Sequence, residues 1–321
     1  MAKTQRPKPL LSFEDFRDAI AAYRLPRILI TALELDLFTV MGGRVWTIAA
    51  LATKLRASRR GLDILCRNLA GVGLLRKQGA GYRNGPLGLG ELNAASTKYR
   101  GAYLRLIKNH WTDWSHLTEQ VRSGKPLEDD EPDAAAYRRE FSWAMHHRSM
   151  EVAPKVAAQV GLKGAKTFLD LGGGPGTYAL AFLAKNLSLR ATVADRAPAL
   201  EVAREIAATY PQGTRLSYVP VDFVKQPIPG KYDVIWYSNV LHIYSPEENL
   251  KVFRRAAAAL NPGGRMLIQD AFLQDAAGLY PQEATLVAAT MLLFTERGNN
   301  YTVQDTTAWL RQAGFERIKP V

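Results

Sequence analysis

The sequence contains a single cysteine, Cys66, in 321 residues. One thiol excludes an intramolecular disulfide and a thiolate zinc centre. Its position in the helical pattern LDILCRNLAGVGLL reads as packing, not as a nucleophile. Long apolar runs are also missing. No stretch reaches the roughly 20 consecutive apolar residues a membrane helix needs, and the start, MAKTQRPKPLL, has no apolar signal core behind its basic residues. A soluble cytoplasmic protein with no membrane span is the expectation. No HExxH-type run or other Asp/Glu/His cluster with ligand spacing occurs, so no metal is expected. Negative charge is the scarcer sign, with 30 acidic against 42 basic residues and a net charge of +12. The excess lies in the first half, residues 1–165 carrying +10 and residues 166–321 only +2. Because these charges are scattered, a solvated basic surface accounts for them, and nucleic acid is not expected as a partner.

What is present is apolar residue in quantity, 47% of a chain whose length suits two domains better than one. From Phe13 to Val40 apolar residues recur at helical spacing, with Pro26 as an expected boundary between two helices. Thr47 is placed to cap IAALATKL and Ser58 to cap RRGLDILCRNLAGVGLL, after which RKQGAGYRNGPLG reads as a hairpin. Two helices and a hairpin suggest a winged helix over residues 1–96. Such a module reads DNA with its second helix, where Arg59, Arg60 and Arg67 fall, or dimerises an enzyme. Residues 97–163 read as a helical linker, broken at SGKPLEDDEPD and dense in aromatics.

From Thr167 the grammar changes. TFLDL, LRATVAD, RLSYVPVD, YDVIWYS and GRMLIQD are strand-like runs alternating with helical patterns, which predicts an α/β domain over residues 164–321 with a parallel sheet and helices on both faces. The first run, which ends at Asp170 and Leu171, feeds a glycine-rich loop, with Gly172 and Gly174 before the helix YALAFLAKN, as in a nucleoside site at a helix N-terminus. Asp195 ends the second strand, Asp222 and Phe223 the third, and Ser238 and Asn239 the fourth. In an open parallel sheet all these ends share one edge, where ligands bind. A dehydrogenase would use a similar edge.

The segments LDLGGGPG, VADRAPAL, VPVDF, NVLHIYSPEENLKVFRRAAAALNPGGRMLIQD and AWLRQAGF resemble the small-molecule class I O-methyltransferases of the caffeic acid and acetylserotonin type. The likeness covers nearly the whole chain. LDLFTVMGGRVWTIAALATKLRASRRGLDILCRNLAGVGLL resembles that family's N-terminal winged-helix dimerisation domain, and FSWAMHHRS its linker helix. The resemblance implies S-adenosylmethionine as cofactor, with S-adenosylhomocysteine as product, a homodimer, and a small-molecule acceptor. It implies that Gly172 lies against the methionine part, Asp195 takes the ribose hydroxyls, Arg196 flanks the adenine, and Asp222 with Phe223 hold it. Asp170, Gly174, Ser238 and Asn239 complete that set, Ser238 standing where the family usually has a lysine. Trp143, Met145, His146, Met291 and Phe294 are the matching candidates for an apolar acceptor pocket. GFERIKPV is expected as a sixth strand, which relatives follow with a seventh.

A phenolic hydroxyl has a reference pKa of about 10, so methylation at neutral pH benefits from a base. His242 follows the fourth strand and matches the base of the family's LHDW-type motif, although Ile243 and Tyr244 follow it here. Asp270 ends the neighbouring fifth strand, placed to fix the imidazole tautomer. Asn300 falls where plant members carry a second acidic partner, and it cannot bear charge. Transfer to a hydroxyl with His242 as base is therefore the expected activity. The alternatives are an N- or C-methyltransferase, a member with other chemistry, and a winged-helix DNA-binding regulator with a nucleoside-sensing domain. SNVLH in place of an NPPY-type run argues against modification of base amino groups.

Overall fold

The computed structural model describes residues 9–127, 134–162 and 164–320, so most of the acidic stretch in SGKPLEDDEPD lies outside the described residues. The chain divides into two compact units, Lys8–Trp111 and Thr112–Val321.

The first unit runs through α1 (Phe13–Ala21), α2 (Arg24–Glu34), α3 (Leu37–Met41), β1 (Trp46–Thr47), α4 (Ile48–Leu55), α5 (Arg59–Gly71), β2 (Leu75–Gln78), β3 (Gly81–Asn84) and α6 (Pro86–Gly90), then enters α7 (Gly101–Asp113). Helix starts are chemically marked: the side chains of Ser12, Thr47 and Ser58 accept the N–H groups of Asp15, Ala50 and Gly61. Pro26 sits in the first turn of α2, where its missing N–H is harmless, so the boundary falls at Ala22 and Tyr23 just before it. The three strands form an antiparallel sheet in the order β1-β3-β2, and with α4 and α5 they make the expected winged helix. A Cβ at Gly81 would lie 2.6 Å from the Trp46 carbonyl oxygen, so β3 approaches β1 only with glycine there. Leu37, Phe38, Met41, Leu51, Leu62 and Leu69 fill the core around Cys66. Burial pushes the Cys66 thiol up to about 11, as suits a packing residue.

The second unit contains α8 (Leu117–Ser123), α9 (Ala134–Ser149), α10 (Ala153–Val160), β4 (Thr167–Leu171), α11 (Thr177–Lys185), β5 (Arg190–Asp195), α12 (Ala197–Ala208), β6 (Leu216–Pro220), β7 (Tyr232–Ser238), α13 (Pro246–Ala259), β8 (Leu260–Gln269), α14 (Gln282–Phe294) and α15 (Val303–Gln312). Its sheet is parallel throughout in the order β6-β5-β4-β7-β8. Phe168, Phe182, Val193, Ile206 and Trp236 belong to a core on one face; Leu169, Leu171, Ile235, Tyr237 and Phe253 to a core on the other. This double burial explains why the strands read as nearly continuous apolar runs. After β4 the order reverses, with β5 on one side and β7 on the other, so the ends of β4 and β7 flank a topological switch point. At the opposite edge the Asp233 carboxylate accepts N–H groups of Lys166, Thr167 and the Asn261 amide, and these bonds hold it down to about 2.

The expected sixth strand does not form. Residues 315–320 pair with no strand; Phe315 and Ile318 instead pack on the second core. Arg317 adopts a left-handed φ of 53°, which breaks an extended run, and Pro320 has no N–H to give a ladder.

Candidate active site

Five strand ends build the site. β4 delivers Asp170, 2% exposed, whose Oδ2 accepts the Ala179 N–H at 3.1 Å in the first turn of α11. Burial pushes this carboxyl up to about 7, against that hydrogen bond. The glycine loop crosses above it: Gly172, Gly174 and Gly176 have φ of 70°, 48° and 70°. A Cβ at Gly172 would lie 2.8 Å from Val240 Cγ2, and one at Gly173 2.4 Å from Asp170 Cγ, whereas nothing lies within 4 Å of the place a Cβ would take at Gly174. The loop is thus tight against the protein at two glycines and open over the third.

β5 delivers Asp195. Its Oδ2 accepts the Gly174 N–H at 2.8 Å and its Oδ1 the Arg196 N–H at 2.7 Å, so the carboxylate ties the loop to the second strand. Burial raises its pKa and the two backbone bonds oppose that shift. Each oxygen keeps a lone pair for a further donor such as a diol. Arg196 is exposed beside it. After β6, Asp222 Oδ1 accepts the N–H groups of Val224 and Lys225, and its side chain is 29% exposed. Phe223 is packed rather than open for stacking: it is 5% exposed, edge-on to Tyr237 and Tyr244. Tyr244 was not singled out by its sequence pattern. Burial pushes its phenol up to about 12, and it feels the charges of Arg196, Asp195 and Asp222, which places it among the same residues. At the end of β7, Asn239 adopts φ 56°, donates its N–H to the Gln269 carbonyl at 2.9 Å and its amide to Ser238 Oγ at 2.9 Å.

The catalytic candidates meet across β7 and β8. His242 Nδ1 lies 2.6 Å from Asp270 Oδ1, with the two side chains 13% and 2% exposed. Asp270 Oδ1 also accepts the Ala271 N–H at 2.8 Å, and its Oδ2 has no partner among the described residues. Asn300 is 5% exposed, and the contact its side chain makes is with the backbone of the neighbouring segment, its amide donating to the Ala271 carbonyl.

The linker candidates separate. His146 is 5% exposed, with Nδ1 2.9 Å from Thr177 Oγ1 and the ring edge-on to Tyr210 and Trp143. Burial, with His147 nearby, pushes it down to about 4, so it is a neutral histidine. Trp143 packs on the first core. These two positions, three apart on α9, share the face against α11 and α12 and serve packing instead of lining an open pocket. Thr177, which the sequence motifs did not single out, is the residue that His146 of α9 meets. Met145, Met291 and Phe294 are half-buried on α9 and α14. Among the described residues no group of three or more His, Cys, Asp or Glu side chains could hold a metal ion.

Known proteins share this sequence pattern and fold. Residues 114–316 match the model of an O-methyltransferase domain and residues 18–89 that of an O-methyltransferase dimerisation domain. The chain is 28% identical over 300 residues to the 3-hydroxy-5-methyl-1-naphthoate 3-O-methyltransferase of Streptomyces sahachiroi, covering 91% of this chain and 86% of that one. It is 30% identical to the acetylserotonin O-methyltransferase of Mus musculus molossinus, covering 95% and 85%. Among solved structures, an O-methyltransferase family protein from Burkholderia thailandensis superposes with a TM-score of 0.85 at 26% identity, over 96% of this chain and 94% of that one. The chain belongs to the O-methyltransferase family, with that family's methyltransferase and dimerisation domains.

Proposed function

We propose that this S-adenosylmethionine-dependent enzyme methylates a hydroxyl of a small, flat, aromatic or polyketide-like acceptor, with His242 as general base. The observation that carries the reading is the His242–Asp270 pair, 2.6 Å apart, on the same sheet edge as the glycine loop. When bound, S-adenosylmethionine would supply an electrophilic methyl group on a sulfonium, with S-adenosylhomocysteine as the product of its transfer to the acceptor oxygen.

The residues fit that cofactor. The open space over Gly174 and the spare lone pairs of Asp195 suit a ribose diol at the N-terminus of α11. Asp170 holds the first turn of that helix, while Arg196, Asp222 and Tyr244 border the nucleoside end. Ser238 and Asn239 close the end of β7.

For the acceptor, Asp270 keeps the Nδ1–H tautomer, which leaves the His242 Nε2 lone pair to take the hydroxyl proton. The buried carboxylate then stabilises the imidazolium it faces. Holding the acceptor in place contributes the larger share, up to roughly 7–11 kcal/mol in favourable cases. Met145, Met291 and Phe294 offer it apolar surface. The relatives' substrates, a hydroxynaphthoate and acetylserotonin, are flat hydroxylated aromatics. The test is incubation with S-adenosylmethionine and hydroxylated naphthoates and indoles, with the product's methylated atom located by NMR. Methylation at oxygen supports the reading; methylation only at nitrogen or carbon removes it.

We also infer a homodimer. The dimerisation-domain match and the exposed side chains of Leu11, Phe13, Phe16 and Ile20 on and before α1 support it. A monomer by light scattering contradicts it.

A second reading of the winged helix rests on charge more concentrated than a half-chain count reveals. Residues 42–90 hold nine Lys and Arg, all exposed, against one acid, Asp63, which pairs with Arg67. Duplex binding that weakens steeply with salt would support a nucleic-acid role; no binding at low salt removes it.

A further inference from the structure

Three short segments converge on the His242–Asp270 pair: 241–243 after β7, 270–273 after β8, and 298–302 before α15. Their hydrogen bonds close a circuit. The His242 ring meets Asp270 Oδ1 at 2.6 Å, and that same oxygen accepts the Ala271 N–H at 2.8 Å. The Ala271 carbonyl accepts the Asn300 amide. The Asn300 N–H donates to Asn299 Oδ1 at 2.8 Å, and the Asn299 N–H returns to the His242 carbonyl at 2.9 Å. The third segment therefore grips the backbone of the histidine and the residue that orients its carboxylate. It is itself anchored: Leu273 donates to the Tyr301 carbonyl at 3.0 Å, and the Tyr301 hydroxyl to the Tyr244 carbonyl at 2.7 Å. A Cβ at Gly298 would lie 2.6 Å from the His242 carbonyl oxygen, so close an approach requires glycine.

We propose that Asn300 is a positioning residue, which acts through the Ala271 backbone to hold Asp270 against the His242 ring and requires an amide. This rests on His242 being the base. The partner of Asn300 is a carbonyl oxygen, so only a donor can occupy the position. The carbonyl also fixes which way the amide points: Nδ2 faces Ala271, and Oδ1, buried, has no partner among the described residues. An ionised aspartate would set one acceptor against that carbonyl and leave another buried and unpaired. The neighbouring phenols, Tyr237, Tyr244 and Tyr301, are all pushed up by burial and stay neutral, and Glu248 is engaged with the Ser245 N–H. Among the described residues Asp270 is thus the one carboxylate hydrogen-bonded to the ring, and its orientation matters correspondingly.

A residue at 300 acting as a charge partner of the histidine would behave in the opposite way to a positioning amide, which makes the substitution Asn300→Asp decisive. The full-length protein, labelled with 15N-histidine, reports the His242 tautomer without any acceptor, the signal being assigned by its loss in His242→Ala. Wild type should show a single Nδ1–H form at pH 8. Asn300→Ala and Asn300→Asp should both show mixed tautomers. With a hydroxynaphthoate as probe, both should lower kcat by about 10- to 100-fold, with the KM for S-adenosylmethionine held, whereas loss of the buried amide bond lowers the unfolding midpoint in both without bearing on the tautomer. Asn299→Ala, at an exposed position, breaks the same circuit without touching the buried amide and should mix the tautomers to a smaller extent. An unmixed tautomer in Asn300→Ala and Asn299→Ala overturns the proposal, as does an Asn300→Asp enzyme as fast as wild type. His242→Ala with full activity would sink the base assignment instead, and the tautomer signal would still decide the role of Asn300.

Discussion

The His146 ring provides a stability switch whose size follows from its burial. The ring is 5% exposed and held neutral, its pKa pushed from 6.5 to about 4 by desolvation and then by His147. A histidine with a depressed folded pKa binds its proton more readily unfolded, so stability is present above pH 6.5 and is lost as pH falls toward 4. The gap is about two and a half pKa units, which at 1.36 kcal/mol each amounts to about 3 kcal/mol over the whole window and about 2 kcal/mol by pH 5. Against a typical domain stability of roughly 5–15 kcal/mol that is a large share. His146→Gln keeps a polar partner for Thr177 Oγ1 and removes the titration. The lost ring contacts with Trp143 and Tyr210 impose a cost that does not vary with pH. Urea unfolding of both proteins at pH 7.5, 6.5, 5.5 and 5.0 isolates the histidine, because titrating groups that do not interact with His146 cancel in the difference and His147 is the smaller of its two causes. The variant should start less stable and close on wild type by about 2 kcal/mol between pH 7.5 and 5. Parallel loss of stability in the two proteins would refute the argument.

Asp170 works with the opposite sign. Its folded pKa is raised from 3.8 to about 7, so the unfolded chain ionises first and stability falls as pH climbs from about 4 to 7; Asp170→Asn should remove that slope, gaining up to a few kcal/mol relative to wild type at pH 7.5 and nothing at pH 4. Gly172→Ala combines φ 70° with a Cβ 2.8 Å from Val240 Cγ2, and titration calorimetry with S-adenosylhomocysteine should show binding weakened at least about tenfold. A chelator should leave methyl transfer unchanged, read as initial rate before and after dialysis against EDTA.

The strand ends were legible because a parallel sheet leaves little choice. Once five apolar runs alternate with helices, Asp170, Asp195, Asp222, Ser238 and Asp270 must share an edge, and the adjacency of β7 and β8 brings Asp270 to His242. The caps at Thr47 and Ser58 were equally readable, since their logic is local. The face of α9 was not. One residue turns a helix by about 100°, so whether His146 lines a pocket or packs on Thr177 depends on the position of α11, which periodicity does not encode. GFERIKPV had strand composition, but the left-handed φ of Arg317 breaks its extended run, Pro320 gives no N–H, and pairing is what makes a strand. Asn300 was readable as a missing charge; its bond to the Ala271 carbonyl is a long-range backbone contact with no sequence signature. Tyr244 registered only as a departure from a motif, while the fold sets it beside Phe223 and within range of Asp195.

The central claim is proton removal by His242 during methylation of an acceptor hydroxyl. Its most direct test is the single-turnover rate of methyl transfer to a hydroxynaphthoate at pH 7.5, for wild type, His242→Ala and Asp270→Asn, with S-adenosylhomocysteine affinity measured alongside. The account predicts a rate lower by about 10²–10⁴-fold in His242→Ala, a smaller loss in Asp270→Asn, and unchanged cofactor affinity in both. Methyl transfer at the wild-type rate in His242→Ala would contradict it.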